Sequence, residues 1–184
     1  MSDPICEILI GLPACGKTTY VYKMYKDKHT FIYSTDDILE KIALEQNKSY
    51  DDVWADNFKN AQKQANEDLE KAINNKMDIV WDQTNLTKKK RSYIIERMQK
   101  SGYQIRGVHF IKPEENSEHY VEWRTRLDNR PGKTIPNHIL NSMYETYQEP
   151  QIEEGFEVLQ GQDMNGLVYI DYGTEGDKPS APHL

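Results

Sequence analysis

Along most of this chain, short apolar runs closed by turn residues alternate with amphipathic stretches. Ile5 to Ile10 is a β-branched run of strand length that stops at Gly11, and after Gly16 the pattern turns helical through about Lys26. Thr30 to Ser34 reads as a second strand. Thr35-Asp36-Asp37 then has the composition of a helix N-cap and first turn, with Ile38, Leu39, Ile42 and Ala43 following at helical spacing. A long polar helix is predicted from Asp51 to Asn74, with Val53, Trp54, Phe58, Ala61, Ala65, Leu69 and Ile73 on its apolar side. Met77 to Trp81 is a third strand ending at Asp82, Thr87 to Ser101 a helix that stops at Gly102, and Gln104 to Ile111 a fourth strand. The pattern then predicts a helix from Pro113 into an arginine-rich stretch, and another from Pro136 to about Tyr147. A short element at Phe156 to Leu159 and a last strand at Leu167 to Tyr172 follow, and residues 173–184 read as a disordered tail. There are no internal repeats.

This alternation implies an α/β fold, a parallel sheet flanked by helices on both faces, over residues 1–172. Such sheets bind ligands at the carboxyl ends of their strands. A length of 184 residues suits one domain, and 37% hydrophobic with 29% charged residues suits a core under a well-solvated surface. The stretch before Ile5 and the apolar run after it are too short for a secretory signal or a membrane span, so no membrane association is expected. Cys6 and Cys15 match no metal-ligand spacing and read as reduced thiols of a cytoplasmic protein.

A net charge of -7 has the wrong sign for a protein that coats nucleic acid through a general basic surface. Any such contact has to be local. Lys88, Lys89, Lys90 and Arg91 form one basic cluster, and Arg124, Arg126, Arg130 and Lys133 a second; the alternative for both is ordinary solvated surface.

The sharpest chemical signal is Gly11-Leu12-Pro13-Ala14-Cys15-Gly16-Lys17-Thr18, which fits G-x-x-x-x-G-K-T/S between a predicted strand and a predicted helix. Glycines let backbone N–H groups wrap a phosphate chain, and the helix that follows favours the anion. Lys17 reaches the β/γ-phosphates and the Thr18 hydroxyl binds Mg2+, with Thr19 beside it. ATP, or another NTP, is the expected cofactor. Asp82, at the end of an apolar strand, has the form of the acid that orders the magnesium. The Cys15 thiol, amid converging N–H donors near Lys17, reads either as a reactive group with a lowered pKa or as a buried, inert thiol.

Four segments in order resemble the kinase domain of phage-type polynucleotide kinase, a P-loop 5′-hydroxyl kinase family. They are the phosphate loop, Ser34-Thr35-Asp36-Asp37, Asp82 to Leu86 followed by Lys88 to Arg91, and the lid-like stretch Arg126 to Pro136, within a lid of about residues 124–135. The phosphatase half often fused to that kinase has no counterpart here. The resemblance implies the P-loop NTPase/kinase fold, with Asp36 as general base for the attacking hydroxyl. It makes Arg130 and Arg126 lid arginines that clamp the ATP phosphates, and Thr84, Asn85, Lys88 and Arg91 the acceptor side, with a helix entry capped by Thr87 as the alternative for Thr84 and Asn85. Where the family places an arginine three residues after the catalytic acid, this chain has Leu39.

Three functions remain open on this reading. The first is a kinase for the 5′-hydroxyl of a nucleic-acid end, DNA or RNA, which makes that end the expected partner. The second keeps the chemistry but moves the acceptor to a hydroxyl on a modified DNA base or a small metabolite. The third is a nucleotide-hydrolysing switch, against which stands the acid suited to a hydroxyl acceptor. The oligomeric state stays open.

Overall fold

A computed structural model describes residues 3–162 and the backbone of residues 168–172. The tail expected over 173–184 lies outside the described residues, as does the start of the last strand at Leu167. Strand β1 (Ile5–Ile10) leads into α1 (Lys17–Tyr25), β2 (Thr30–Tyr33) into α2 (Thr35–Glu45) and α3 (Tyr50–Asn74), and β3 (Asp78–Trp81) into α4 (Lys88–Lys100). Then come β4 (Gln104–Phe110), α5 (Glu118–Asp128), α6 (Asn137–Glu145), a 3₁₀ turn at Ile152–Glu154, β5 (Val158–Gln162) and β6 (Val168–Tyr172).

The strands form one sheet in the order β2-β3-β1-β4-β5-β6. Neighbours from β2 through β5 are parallel, and β5 with β6 is antiparallel. From β1 to β5, each strand is connected to the next one in the chain through one or two helices. Only residues 163–167 separate β5 from β6, too few for the dozen or more that a parallel crossover needs, so the last strand turns back on the sheet edge.

Side chains alternate across β1, and each face is covered. Cys6, Ile8 and Ile10 pack with Ala65 and Leu69 of α3 and Ile94, Ile95 and Met98 of α4. Leu9 points the other way, into a cluster with Val80, Val108, Phe110 and Tyr20 of α1. Truncating a fully buried member such as Leu69 to alanine costs about 2–5 kcal/mol.

A third cluster, Leu12, Leu86, Trp123 and Leu140, joins the phosphate loop to α5 and α6. The helix expected from Pro113 begins only at Glu118. Pro113 brings no N–H, Asn116 takes a left-handed φ of 65°, and Ser117 caps the helix by accepting from the Tyr120 N–H at 3.1 Å. The 3₁₀ turn was not legible, because its stability comes from a buried ion pair made across the fold.

Candidate nucleotide and acceptor site

The chain leaves β1 at Gly11, where the backbone N–H donates to the Thr84 carbonyl of the neighbouring loop at 2.9 Å. A Cβ at Gly11 would stand 2.7 Å from Cys15 Sγ and 2.8 Å from Phe110 Cβ, so no side chain fits. Ala14 (φ 60°) and Gly16 (φ 105°) are left-handed, the kind of alternation that gathers backbone N–H groups around an anion. Helix α1 begins at Lys17 with no side-chain cap and no acidic residue in its first turn. The positive end of its dipole is therefore not offset by a side-chain carboxylate and suits a negative ligand.

Lys17 donates its ammonium to the carbonyls of Gly11 at 2.9 Å and Leu12 at 2.7 Å. Thr18 and Thr19 are exposed at the helix start. Trp123 Nε1 donates to the Pro13 carbonyl at 2.7 Å and ties α5 to the loop. A lowered pKa does not hold for Cys15: burial pushes its thiol up, and the opposing charge and hydrogen bonds of Lys17 do not reverse that. It is a buried, protonated wall residue.

At the ends of β2 and β3 the sequence-predicted acids converge. The Asp82 N–H donates to the Tyr33 carbonyl at 3.0 Å, which pins the two strand ends together. The Asp82 carboxyl is pushed up to about 6, by burial first, against the pull of Lys17 and with the help of the charges of Asp37 and Asp36. Ser34 caps α2 through the Asp37 N–H at 3.1 Å and so sets Asp36 in the first turn. Burial also pushes the Asp37 carboxyl up, only partly offset by Ser34.

Both oxygens of Asp36 are engaged. The Tyr50 hydroxyl donates to Oδ1 at 2.8 Å and Lys133 Nζ to Oδ2 at 2.5 Å. Lys133 also reaches Glu40 at 3.2 Å and lies 4.1 Å over the Tyr50 ring. Burial would raise the Asp36 carboxyl, but Lys133, the Tyr50 hydrogen bond and the charge of Arg130 outweigh it and hold it below the usual carboxylate range. The backbone of residues 132–134 is fastened beside this cluster, since Asp51 N–H donates to the Gly132 carbonyl at 3.2 Å and the Thr134 N–H donates to the Asp51 carboxylate at 2.9 Å. Sequence reading missed Tyr50 and placed Lys133 only in a basic cluster; contacts 14 and 97 residues apart leave no local signal.

Several expected site residues lie elsewhere. Arg91 is fully buried, not on an acceptor surface. Its guanidinium makes a bidentate pair with Glu154, both bonds 2.7 Å, and donates to the carbonyls of Asn85 and Gln148. Four of its five N–H groups are engaged and the side chain is sealed from solvent, so a strand phosphate cannot reach it. Asn85 is also fully buried, at a left-handed φ of 50°, and its amide donates to the Leu9 carbonyl at 2.7 Å, so it braces the loop after β3. Thr84 contributes its carbonyl to Gly11, with its side chain half-buried.

Lys88 is exposed at the start of α4, with Lys89 and Lys90. Arg126 is exposed and paired with Glu122 on its own helix at 2.5 Å, whereas the half-buried Arg130 is close enough for its charge to act on Asp36 and Tyr50. His109 is no candidate base. Burial and then the Arg91 charge push it down to about 4, and it is hydrogen-bonded to the Tyr147 hydroxyl.

A family model described as an AAA domain, AAA_33, matches residues 7–150. Among solved structures, a chain from the PezAT chromosomal toxin-antitoxin system of Streptococcus pneumoniae superposes with a TM-score of 0.63 at 18% identity, covering 98% of this chain and 75% of that one. A sugar kinase from Janibacter sp. HTCC2649 gives 0.57 at 17%, covering 88% and 86%. A fungal RNA kinase gives 0.50 at 12%, covering 89% and 75%. At these identities the likeness is one of fold. No helix among the described residues is long and apolar enough to cross a membrane.

Proposed function

The chain belongs to the AAA domain family AAA_33, and from that premise we propose that it is an ATP-dependent kinase that transfers the γ-phosphate to the 5′-hydroxyl of a polynucleotide end. Its fold is of the P-loop kinase type, which implies nucleotide binding and phosphoryl transfer; the acceptor is the proposed part. The observation that carries the reading is Asp36. It is a carboxylate held ionised by Lys133, Tyr50 and Arg130, and its charge is felt at Asp82 together with that of Lys17. An acid in that place suits a hydroxyl acceptor.

In the proposed step the acceptor oxygen attacks the γ-phosphorus while Asp36 takes the hydroxyl proton. The bond from phosphorus to the β,γ-bridging oxygen breaks, and ADP leaves. Lys17 and Arg130 supply positive charge to the transferring group. For the hydroxyl to reach Asp36, one of the partners now on its oxygens must yield.

A divalent cation fits the residues present. Thr18 and Asp82 offer hard oxygens, and a carboxyl raised to about 6 among other acids is electrostatically suited to a cation. Mg2+ held there would share its remaining ligands with nucleotide phosphates and water. Such an ion would neutralise charge on the phosphates.

The start of α4 adds support for an anionic acceptor. Lys88, Lys89 and Lys90 crowd a helix N-terminus that already carries positive dipole charge, an arrangement that strand phosphates would relieve. The burial of Arg91, which takes one cation from that cluster, favours a second reading with the same chemistry and a smaller acceptor such as a nucleoside.

The test is to incubate the protein with labelled ATP and a panel of 5′-hydroxyl oligonucleotides, hydroxylated-base duplexes, nucleosides and sugars, with Lys17→Ala as control. Label on the oligonucleotide 5′ end supports the proposal. Label confined to a small acceptor selects the second reading. Release of phosphate with no acceptor labelled would sink both.

A further inference from the structure

Helix α3 buries Ala61, Ala65, Leu69 and Ala72 against the sheet, a face that recurs every three to four residues. Trp54 and Phe58 stand seven residues, about two turns, before Ala61 and Ala65, and therefore on the same face. Toward the start of the helix Val53 is buried at 1% exposure, but the aromatic pair that follows is not fully covered. Trp54 is 45% exposed and Phe58 half-buried, their rings 5.1 Å apart at 31°. One turn earlier stands Tyr50, whose hydroxyl is bonded to Asp36. The aromatic row Tyr50, Trp54, Phe58 thus starts at the proposed base and runs away from it, with about 6 Å of helix axis per step.

We propose that Trp54 and Phe58 form the platform on which the acceptor's nucleobase stacks while its sugar hydroxyl faces Asp36. This rests on the kinase reading and names the acceptor as one that carries a base. A planar uncharged ring suits the face better than a phosphate chain, because Asp51, Asp52 and Asp56 are all exposed on the same turns. Stacking on aromatic side chains is tolerant of base identity and contributes substantially per base.

The chain reports on this site directly, since Trp54 is exposed while Trp81 and Trp123, the other two tryptophans, are 3% and 1% exposed. Tryptophan emission is to be titrated with a 5′-hydroxyl dithymidylate and with its abasic sugar-phosphate counterpart, and transfer to each measured with Trp54→Ala, Trp54→Phe and Phe58→Ala. The expected result is emission change with the base-bearing ligand only. Trp54→Ala should raise KM for that acceptor about tenfold or more, with Trp54→Phe recovering most of it and KM for the abasic acceptor unmoved.

An equal loss on both acceptors, or no emission change with either ligand, overturns the platform. That includes the case in which the face instead docks a protein or a second copy. If no acceptor is phosphorylated but the base-bearing ligand still changes Trp54 emission, the platform stands as a base-binding site and the kinase reading alone fails.

Discussion

Replacing Arg91 by methionine separates the two roles this residue could have, strand contact or internal brace. In the fold its side chain is 0% exposed and that of Glu154 1%. The substitution leaves a carboxylate buried with its bidentate partner gone, and the carbonyls of Asn85 and Gln148 without their donor. Breaking a buried pair from one side costs about 3–5 kcal/mol, because the remaining charge has neither water nor a counter-ion. Against a typical domain stability of about 5–15 kcal/mol that is a large fraction, and for a chain this long it lowers Tm by on the order of 10 °C. Removing both charges, as in Arg91→Met with Glu154→Leu, should recover part of the loss, since no uncompensated charge remains while the two carbonyls still lack a donor. Thermal melts of the wild type, both single variants and the double variant measure this. Kinase assays well below the lowest Tm give KM for a 5′-hydroxyl oligonucleotide. If Arg91→Met melts within about 1 °C of the wild type while that KM rises tenfold, the brace is wrong and Arg91 is an acceptor contact after all.

Three further outcomes follow from the site. Asp36→Asn should lower kcat by about 10²-fold or more at unchanged ATP affinity, while Asp37→Asn has a mild effect; equal mild defects measured at saturating substrates would remove Asp36 as the base. Lys133→Met takes away the main charge that holds the Asp36 carboxyl low and leaves burial to raise it, so the acid limb of kcat/KM should move to higher pH, whereas a merely structural lysine would leave the limb in place. Asp82→Asn should raise the magnesium concentration needed for transfer. Because the wild-type carboxyl is raised to about 6 from an ordinary value near 4, its ionisation opposes folding in full above about pH 6 and not at all below about pH 4. In chelator the variant should therefore melt higher than the wild type at pH 8, with the gap closing toward pH 4; a gap independent of pH refutes the burial argument.

Local chemistry determined a great deal here. The strand β1, the glycine turn and the start of α1 follow from a β-branched run, two glycines and a helical pattern, although Thr84 and Trp123 brace the loop from afar. The alternation of β-strands and helices was enough for a parallel sheet covered on both faces, and the acids at the ends of β2 and β3 follow from where those strands stop. What the tertiary structure alone decided is the partner of each charged side chain. Arg91 and Lys88 stand three residues apart with the same charge, yet one is sealed against Glu154 and the other faces water. Lys133 and Arg126 lie in one basic stretch, yet Lys133 sits on Asp36 and Arg126 on its own helix. A short apolar or glycine pattern constrains the backbone within a few residues. The pairing of a charge depends on which distant carboxylate the fold brings within about 3 Å and on how much water it excludes, and neither is written in the residues nearby.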